Sequence, residues 1–230
     1  MKRISFLMLS GLFLSVSCTQ APKSDEAKIT TPKEESKTST GETYTADLTA
    51  SKIEWIGTKV SGYHTGTINL KSGELTVSDG QVTGGKFTMD MTSIKAIGPD
   101  KVPADASKKL TGHLQSGDFF DTQKFPEATF VITGIKPYTG KVTEADDPRQ
   151  EKLNEYKVQN PSHMVSGNLT IKGIEKNIEF PALITVNGNT AEARAKFNLD
   201  RKQWGIVFTG KPDDLVRDEF HLGIYLKANK

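Results

Sequence analysis

The chain has 230 residues, with 30 Lys and Arg against 28 Asp and Glu, and it contains one cysteine. The near balance of charge argues against a nucleic-acid binder, which normally carries a basic surplus on its domain. A single cysteine excludes an intramolecular disulfide, so the stability of the folded part must come from its core.

The first 17 residues have the pattern of an export signal. Lys2 and Arg3 precede an apolar stretch over residues 4–16, which is too short for a comfortable membrane span. Cys18 follows directly and resembles the acylated cysteine of a bacterial lipoprotein, although Ser15 stands where such signals usually carry leucine. The alternative is an ordinary secretory signal that leaves a stray thiol. We expect an exported protein, in the periplasm or at the cell surface, with a membrane anchor at Cys18.

Residues 18–43 are predicted to be the lipidated cysteine and a disordered linker. Between Thr19 and Thr43 the only large apolar residue is Ile29, and there is no aromatic residue. Such a composition cannot bury enough apolar surface to offset the chain entropy that folding costs. As a flexible coil, the linker would span roughly 25–30 Å between the membrane and a single folded domain over residues 44–230.

From Tyr44 onward, short runs alternate apolar and polar residues. The run from Ala191 to Leu199 is the clearest, because every second residue is apolar and those between are polar or charged. Similar runs are VTGGKFTMDM, VSGNLTI, NIEFPALITV and the C-terminal FHLGIYL. A period of two over this many segments predicts an all-β sandwich or barrel with one solvent-facing side. Asn187-Gly188 between two such runs predicts a β-hairpin.

Two stretches interrupt the strand pattern. Ala104–Gln115 is predicted to form a short helix, although its apolar stripe is thin. Residues 140–161 are charged, nearly devoid of apolar periodicity and longer than most loops, so we interpret this insert as a surface excursion.

The inward-facing candidates are apolar, and several of them are small. An eight-stranded barrel has an interior that side chains can just fill, or that can hold one small ligand. Large and small residues can also interdigitate into a solid core. The composition leaves both possibilities open, with these small positions on the inward face: Gly85, Gly167, Ala182, Ala191, Ala193 and Ala195.

Five segments, in order along nearly the whole domain, carry a family resemblance: SKIEWIGTKVSGYHTGTI (51–68), GGKFTMDMTSI (84–94), LTGHLQSGDFFDTQKFPEATF (110–130), SGNLTIKG (166–173) and FNLDRKQWGI (197–206). They resemble the YceI-like family of lipid- and polyisoprenoid-binding proteins. The resemblance implies an extended, lipocalin-like antiparallel β-barrel of about eight strands, with a hydrophobic tunnel for an isoprenoid chain such as a quinone tail. Members are exported, and neither catalysis nor a cofactor is implied. The insert at 140–161 departs from the family pattern.

The inward pattern and the resemblance together predict the residues that line the tunnel. Phe119 and Phe120 have two possible roles. Their rings either close one end of the barrel as part of the core, or they gate the tunnel and contact the lipid. The predicted tunnel residues are Trp55, Phe87, Met89, Met91, Phe119, Phe120, Phe130, Ala193, Phe197, Trp204 and Phe208.

Three functions are compatible with the sequence. The favoured one is a carrier or store for a long apolar lipid. The second is a small-molecule enzyme that uses His64 or His113 with a nearby Asp, and the third is a solid barrel that acts on a protein partner. The four histidines have no metal-ligand spacing, so no metal site is predicted.

Overall fold

The computed structural model describes residues 21–34, 40–98, 103–140 and 156–230. The predicted signal peptide, Cys18 and residues 141–155 of the insert lie outside the described residues. Within the described part of the chain, no helix is long and apolar enough to cross a membrane.

The described residues form twelve strands, one α-helix and one 3-10 helix. In chain order these are β1 (Asp25–Glu26), β2 (Lys28–Thr30), β3 (Glu42–Ala46), β4 (Lys52–Lys59), β5 (Gly62–Ser78), β6 (Gln81–Gly98), α1 (Ala104–Gln115), β7 (Glu127–Pro137), β8 (His163–Ile171), β9 (Ile174–Asn187), β10 (Thr190–Asp200), the 3-10 helix (Arg201–Trp204), β11 (Gly210–Lys211) and β12 (Asp214–Asn229).

Eight of these strands close into an antiparallel barrel. Strands β4 to β10 pair with one another in chain order, and β12 pairs with both β10 and β4. Short β3 lies between β12 and β5 beyond the start of β4, so it extends the wall there. The predicted all-β, lipocalin-like antiparallel barrel is therefore confirmed, and the predicted helix has the expected bounds.

Tight turns connect the longest strands. Asn187 pairs with Thr190, and Gly188 between them has a φ of 56°, so the predicted hairpin is present. The turns at Asp79–Gly80 and Lys172–Gly173 have positive φ at both central positions. That geometry matches the right-handed twist of the strands that the turns join.

The two ends of the barrel are built differently. The helix end is the end where β4 meets β5, β8 meets β9 and α1 packs against β6. There, Leu114, Phe119 and Ile206 are buried above the interior. The opposite, hairpin end carries the turns after β5 and β9, and Tyr44 and Ala228 are buried there. The apolar core therefore reaches both ends of the barrel.

One seam of the barrel wall is completed by the N-terminal segment, residues 21–34, which we call the strap. The ladder between β9 and β10 stops at the pair Ala182–Ala195, and the two strands separate toward the helix end. There β1 pairs with β10, and β2 pairs with β9 through residues 177–179. The strap therefore occupies the gap between the two strands.

The strap differs from the disordered linker that we expected over residues 18–43. Its composition offers little to a core, as the sequence indicated, but its backbone groups pair with two open strand edges. Ile29 lies opposite Ile178 and packs against the core. Ala27 beside it is also buried. Edge pairing thus orders a segment that apolar burial alone would leave as coil.

Candidate functional site

A cavity of about 230 Å³ lies inside the barrel. All eight barrel strands contribute residues to its wall, and so do α1 and the loop that follows it. Apolar cavities of roughly 150 Å³ stay dry and bind small apolar molecules. The interior is therefore not a solid core, and its space suits an apolar guest.

Nine of the eleven predicted tunnel residues line this cavity. They come from four of the barrel strands and from the loop after α1, and together they place aromatic, thioether and methyl groups around one space: Trp55, Phe87, Met89, Met91, Phe119, Phe120, Phe130, Ala193 and Phe197. Their contact with a lipid stays a prediction.

Trp204 and Phe208 do not line the cavity, contrary to our expectation. The 3-10 helix turns Trp204 into a fully buried position, where its indole nitrogen donates to the carbonyl oxygen of Leu169 at 3.1 Å. Phe208 packs on the helix end, with ring centroids 4.7 Å from His113 and 5.3 Å from Phe119. Both residues follow the end of β10, where the alternation of a strand no longer determines the direction of a side chain.

Three large rings lie flat against the wall because glycines face them. A Cβ atom added at Gly66 would collide with the indole of Trp55. The same holds for Gly73 with Phe87 and for Gly167 with Phe130, each by direct contact with the ring. These glycines let the rings pack against backbone instead of crossing the interior, which leaves volume at the centre.

A second group of rings crosses the seam that the strap covers. Phe180 of β9 stacks on Phe197 of β10, with centroids 4.2 Å apart and planes at 19°. Phe130 lies 5.8 Å from Phe180 on the other side. Phe180 lines the cavity but was missing from our predicted set, although it shares the inward alternation of Ile178 in NIEFPALITV.

Charged groups meet the cavity at the helix end, where Arg201, Arg217 and Glu219 line it. Arg201 is buried, and its guanidinium donates to the carbonyl oxygens of Ile206, Val216 and Arg217 at 2.6–3.3 Å. Burial lowers the pKa of Arg201 from its ordinary value, and Asp218 nearby opposes that change. Its donors are therefore directed at protein oxygens.

The two histidines of the enzyme hypothesis lie in separate surroundings. The Nε2 atom of His113 is 2.9 Å from a carboxylate oxygen of Asp118, and its ring packs on Phe119. His64 lies on β5, where burial first and the charge of Lys59 second lower its pKa. Among the residues that the structure describes, no three His, Cys, Asp or Glu side chains converge as a metal site.

A family model and two related proteins match this chain. A family model described as a YceI-like domain matches residues 44–228. UPF0312 proteins from Pseudomonas putida strains W619 and GB-1 are each 35% identical over 106 residues, which cover 43% of this chain. The match spans only 44% of the length of either relative.

Two solved structures share the fold at low sequence identity. BcnA of Burkholderia cenocepacia is 21% identical with a TM-score of 0.58, over 80% of this chain and 99% of that one. A polyisoprenoid-binding domain from Saccharophagus degradans is 12% identical with a TM-score of 0.56, over 81% of this chain and 97% of that one. At these identities the likeness concerns the fold.

Proposed function

The chain belongs to the YceI-like family, and we propose that it binds a long apolar lipid of the isoprenoid type, such as a quinone tail, inside its barrel. In this proposal the protein is a non-catalytic carrier or store. The observation that carries the proposal is the cavity of about 230 Å³, with apolar side chains from all eight strands on its wall.

Energetics favour an apolar chain as the guest. Each CH₂ group that leaves water contributes about 0.8 kcal/mol, so a few prenyl units offset the cost of ordering the chain. The related fold of the Saccharophagus degradans polyisoprenoid-binding domain supports the same class of ligand. Neither His64 nor His113 is among the described residues that line the cavity, which supports a role without catalysis.

We further propose that the protein is exported and anchored through an acyl group on Cys18. The support is the position of Cys18 directly after the apolar stretch of residues 4–16. Expressed with its own signal, the protein should partition into detergent, and Cys18→Ala should release it into the aqueous phase. A wild-type protein that stays in the aqueous phase with a free thiol would contradict the anchor.

The ligand proposal is tested at Ala193, which lines the cavity at the middle of β10. Ala193→Trp should occupy the cavity, so native mass spectrometry should find lipid on the wild-type protein and none on the variant, with little change in melting temperature. Arg194→Trp is the matched control, because Arg194 is exposed on the opposite face of the strand.

If the wild-type protein carries no lipid and Ala193→Trp lowers the free energy of unfolding by about 1–3 kcal/mol, as overpacking of a filled core does, the carrier proposal fails.

A further inference from the structure

The exposed large apolar side chains are concentrated at one end of the barrel. Among the described residues, five of the six that are exposed belong to the helix end: Tyr63, Ile97, Ile174, Val207 and Leu215. The sixth, Leu48, lies in the turn between β3 and β4. Single exposed apolar residues are ordinary, but their restriction to one end of a closed barrel indicates a surface.

The hairpin end has the opposite character. Two of its connections are tight turns that the structure describes in full: Ser78, Asp79 and Gly80 after β5, and Gly188 and Asn189 after β9. None of these side chains is a large apolar group. Among the described residues, the helix end therefore offers more apolar surface to an apolar medium than these two turns do.

The strap begins near the helix end. The side-chain amide of Asn198 donates to the carbonyl oxygen of Pro22 at 2.9 Å, and Asn198 stands two residues before the end of β10. Cys18 precedes Pro22 by four residues, and four residues reach at most about 14 Å. An anchor on Cys18 would therefore meet the membrane beside the helix end.

The strap fixes this geometry because both parts of it are bound to the wall. Asn168 exchanges two hydrogen bonds with the backbone of Lys33, accepting at 3.1 Å and donating at 2.7 Å. The carboxylate of Glu26 accepts from Asn198 at 3.0 Å. With the strap bound at Pro22 and again at Lys33, only the four residues from Cys18 to Pro22 separate the barrel wall from the proposed anchor.

We propose that the helix end is a membrane-docking surface, which lies on the lipid bilayer with its apolar side chains at headgroup depth. The proposal rests on the anchor proposed for Cys18. On the surface of α1, exposed Lys108 and Lys109 stand near exposed Asp105. Lys124, Lys202 and Lys211 are also exposed at this end, so apolar insertion is tested in vesicles without anionic lipid, where these charges contribute least.

The test uses the anchored full chain in phosphatidylcholine vesicles that contain a nitroxide-labelled lipid. Val207→Cys and Leu48→Cys, each carrying the same fluorophore, form a matched pair, because both positions are exposed, 63% and 48% respectively. We expect several-fold stronger quenching at position 207. Equal quenching at the two positions, or stronger quenching at position 48, would overturn the docking surface.

A second measurement separates the surface from the anchor and from the cargo. Cys18→Ala protein should bind phosphatidylcholine vesicles weakly, and the added pair Val207→Glu and Leu215→Glu should reduce that binding by about tenfold. Leu48→Glu in the same background should leave the binding unchanged. Equal loss from both changes, or loss from neither, would refute the surface, whereas a missing acyl group or missing cargo is detected by the mass of the wild-type protein alone.

Discussion

The two faces of the wall formed by β8, β9 and β10 are both buried, yet they are buried against different partners. On the inner face, Phe197 and Ile178 are 1% exposed and meet apolar groups. On the outer face, Asn177 and Asn198 are 1% and 2% exposed beneath the strap. The inner face needs only a complementary shape, whereas the outer face needs a hydrogen-bond partner for every polar atom. The strap supplies them for Asn198, whereas the side-chain amide of Asn177 donates to Thr133 and Asn168.

The largest expected effect breaks the outer network at its centre. Asn198→Ala removes the donor to Pro22 and the acceptor, 3.0 Å away, that faces Nδ1 of His221. Buried polar groups without partners cost free energy, so we expect a loss of about 3 kcal/mol in chemical denaturation. Asn189→Ala, at an exposed hairpin position, is the control and should change the stability by less than about 0.5 kcal/mol. If Asn198→Ala lowers the free energy of unfolding as little as Asn189→Ala does, the hydrogen bonds of Asn198 do not stabilise the fold.

Acid should weaken the same network. Burial, with a smaller contribution from the charge of Lys196, lowers the pKa of His221 to about 4, and the ring also packs edge-on against Tyr156. Because the folded-state pKa lies below the ordinary value of 6.5, the unfolded chain binds the proton first as the pH falls. The stability is therefore complete above about pH 7 and decreases as the pH falls toward 4.

Between about pH 7 and pH 5, the loss from His221 should be about 2 kcal/mol. Urea unfolding at several pH values measures this slope. His221→Gln removes the titrating group, so it should flatten the slope over the same range. An unchanged slope in that variant would assign the acid sensitivity to other groups.

The strap's apolar contribution should be smaller. Ile29 is half-buried opposite Ile178, so Ile29→Ala should lower the free energy of unfolding by about 1 kcal/mol. Lys28→Ala, on the exposed neighbouring residue, should have almost no effect. If Ile29→Ala costs more than Asn198→Ala, apolar packing holds the strap and hydrogen bonds are secondary.

The smallest effect is expected in the insert. Tyr156 accepts a hydrogen bond from the Ser24 hydroxyl at 2.6 Å, and Lys157 lies 3.7 Å from a carboxylate oxygen of Asp25. Residues 141–155 of the insert are mostly charged or polar, so their composition offers little to a core. Replacing residues 141–155 by a Gly-Ser linker of equal length should therefore change the stability by less than about 0.5 kcal/mol. A larger loss by thermal unfolding would show that the replaced residues contribute to the fold.

Alternation in the sequence predicted the inner face well. The period-two run from Ala191 to Leu199 placed Ala193 and Phe197 on the cavity wall, because a regular strand determines the direction of each side chain. The prediction failed for Trp204 and Phe208, which follow the strand's end. The alternation placed Phe180 on the inward face, but our predicted set of tunnel residues did not include it.

The outer network could not be found in this way. Asn168, Asn177 and Asn198 occupy the alternate positions that normally face solvent, so the sequence gives no sign that another segment covers them. The strap has the composition of a linker, and its partners are more than 130 residues distant along the chain. A buried polar patch and its cover become visible only when the fold brings them together.

The gap between β9 and β10 also bears on how copies of this chain meet one another. Where the strap lies, residues 177–179 and 197–198 would otherwise present two open strand edges, and open edges pair readily with other chains. A strap that leaves its own barrel fits the same gap in a second copy, which is the arrangement of a domain-swapped dimer. The segment that follows the proposed anchor is thus also the segment that covers two strand edges with which a second copy could pair.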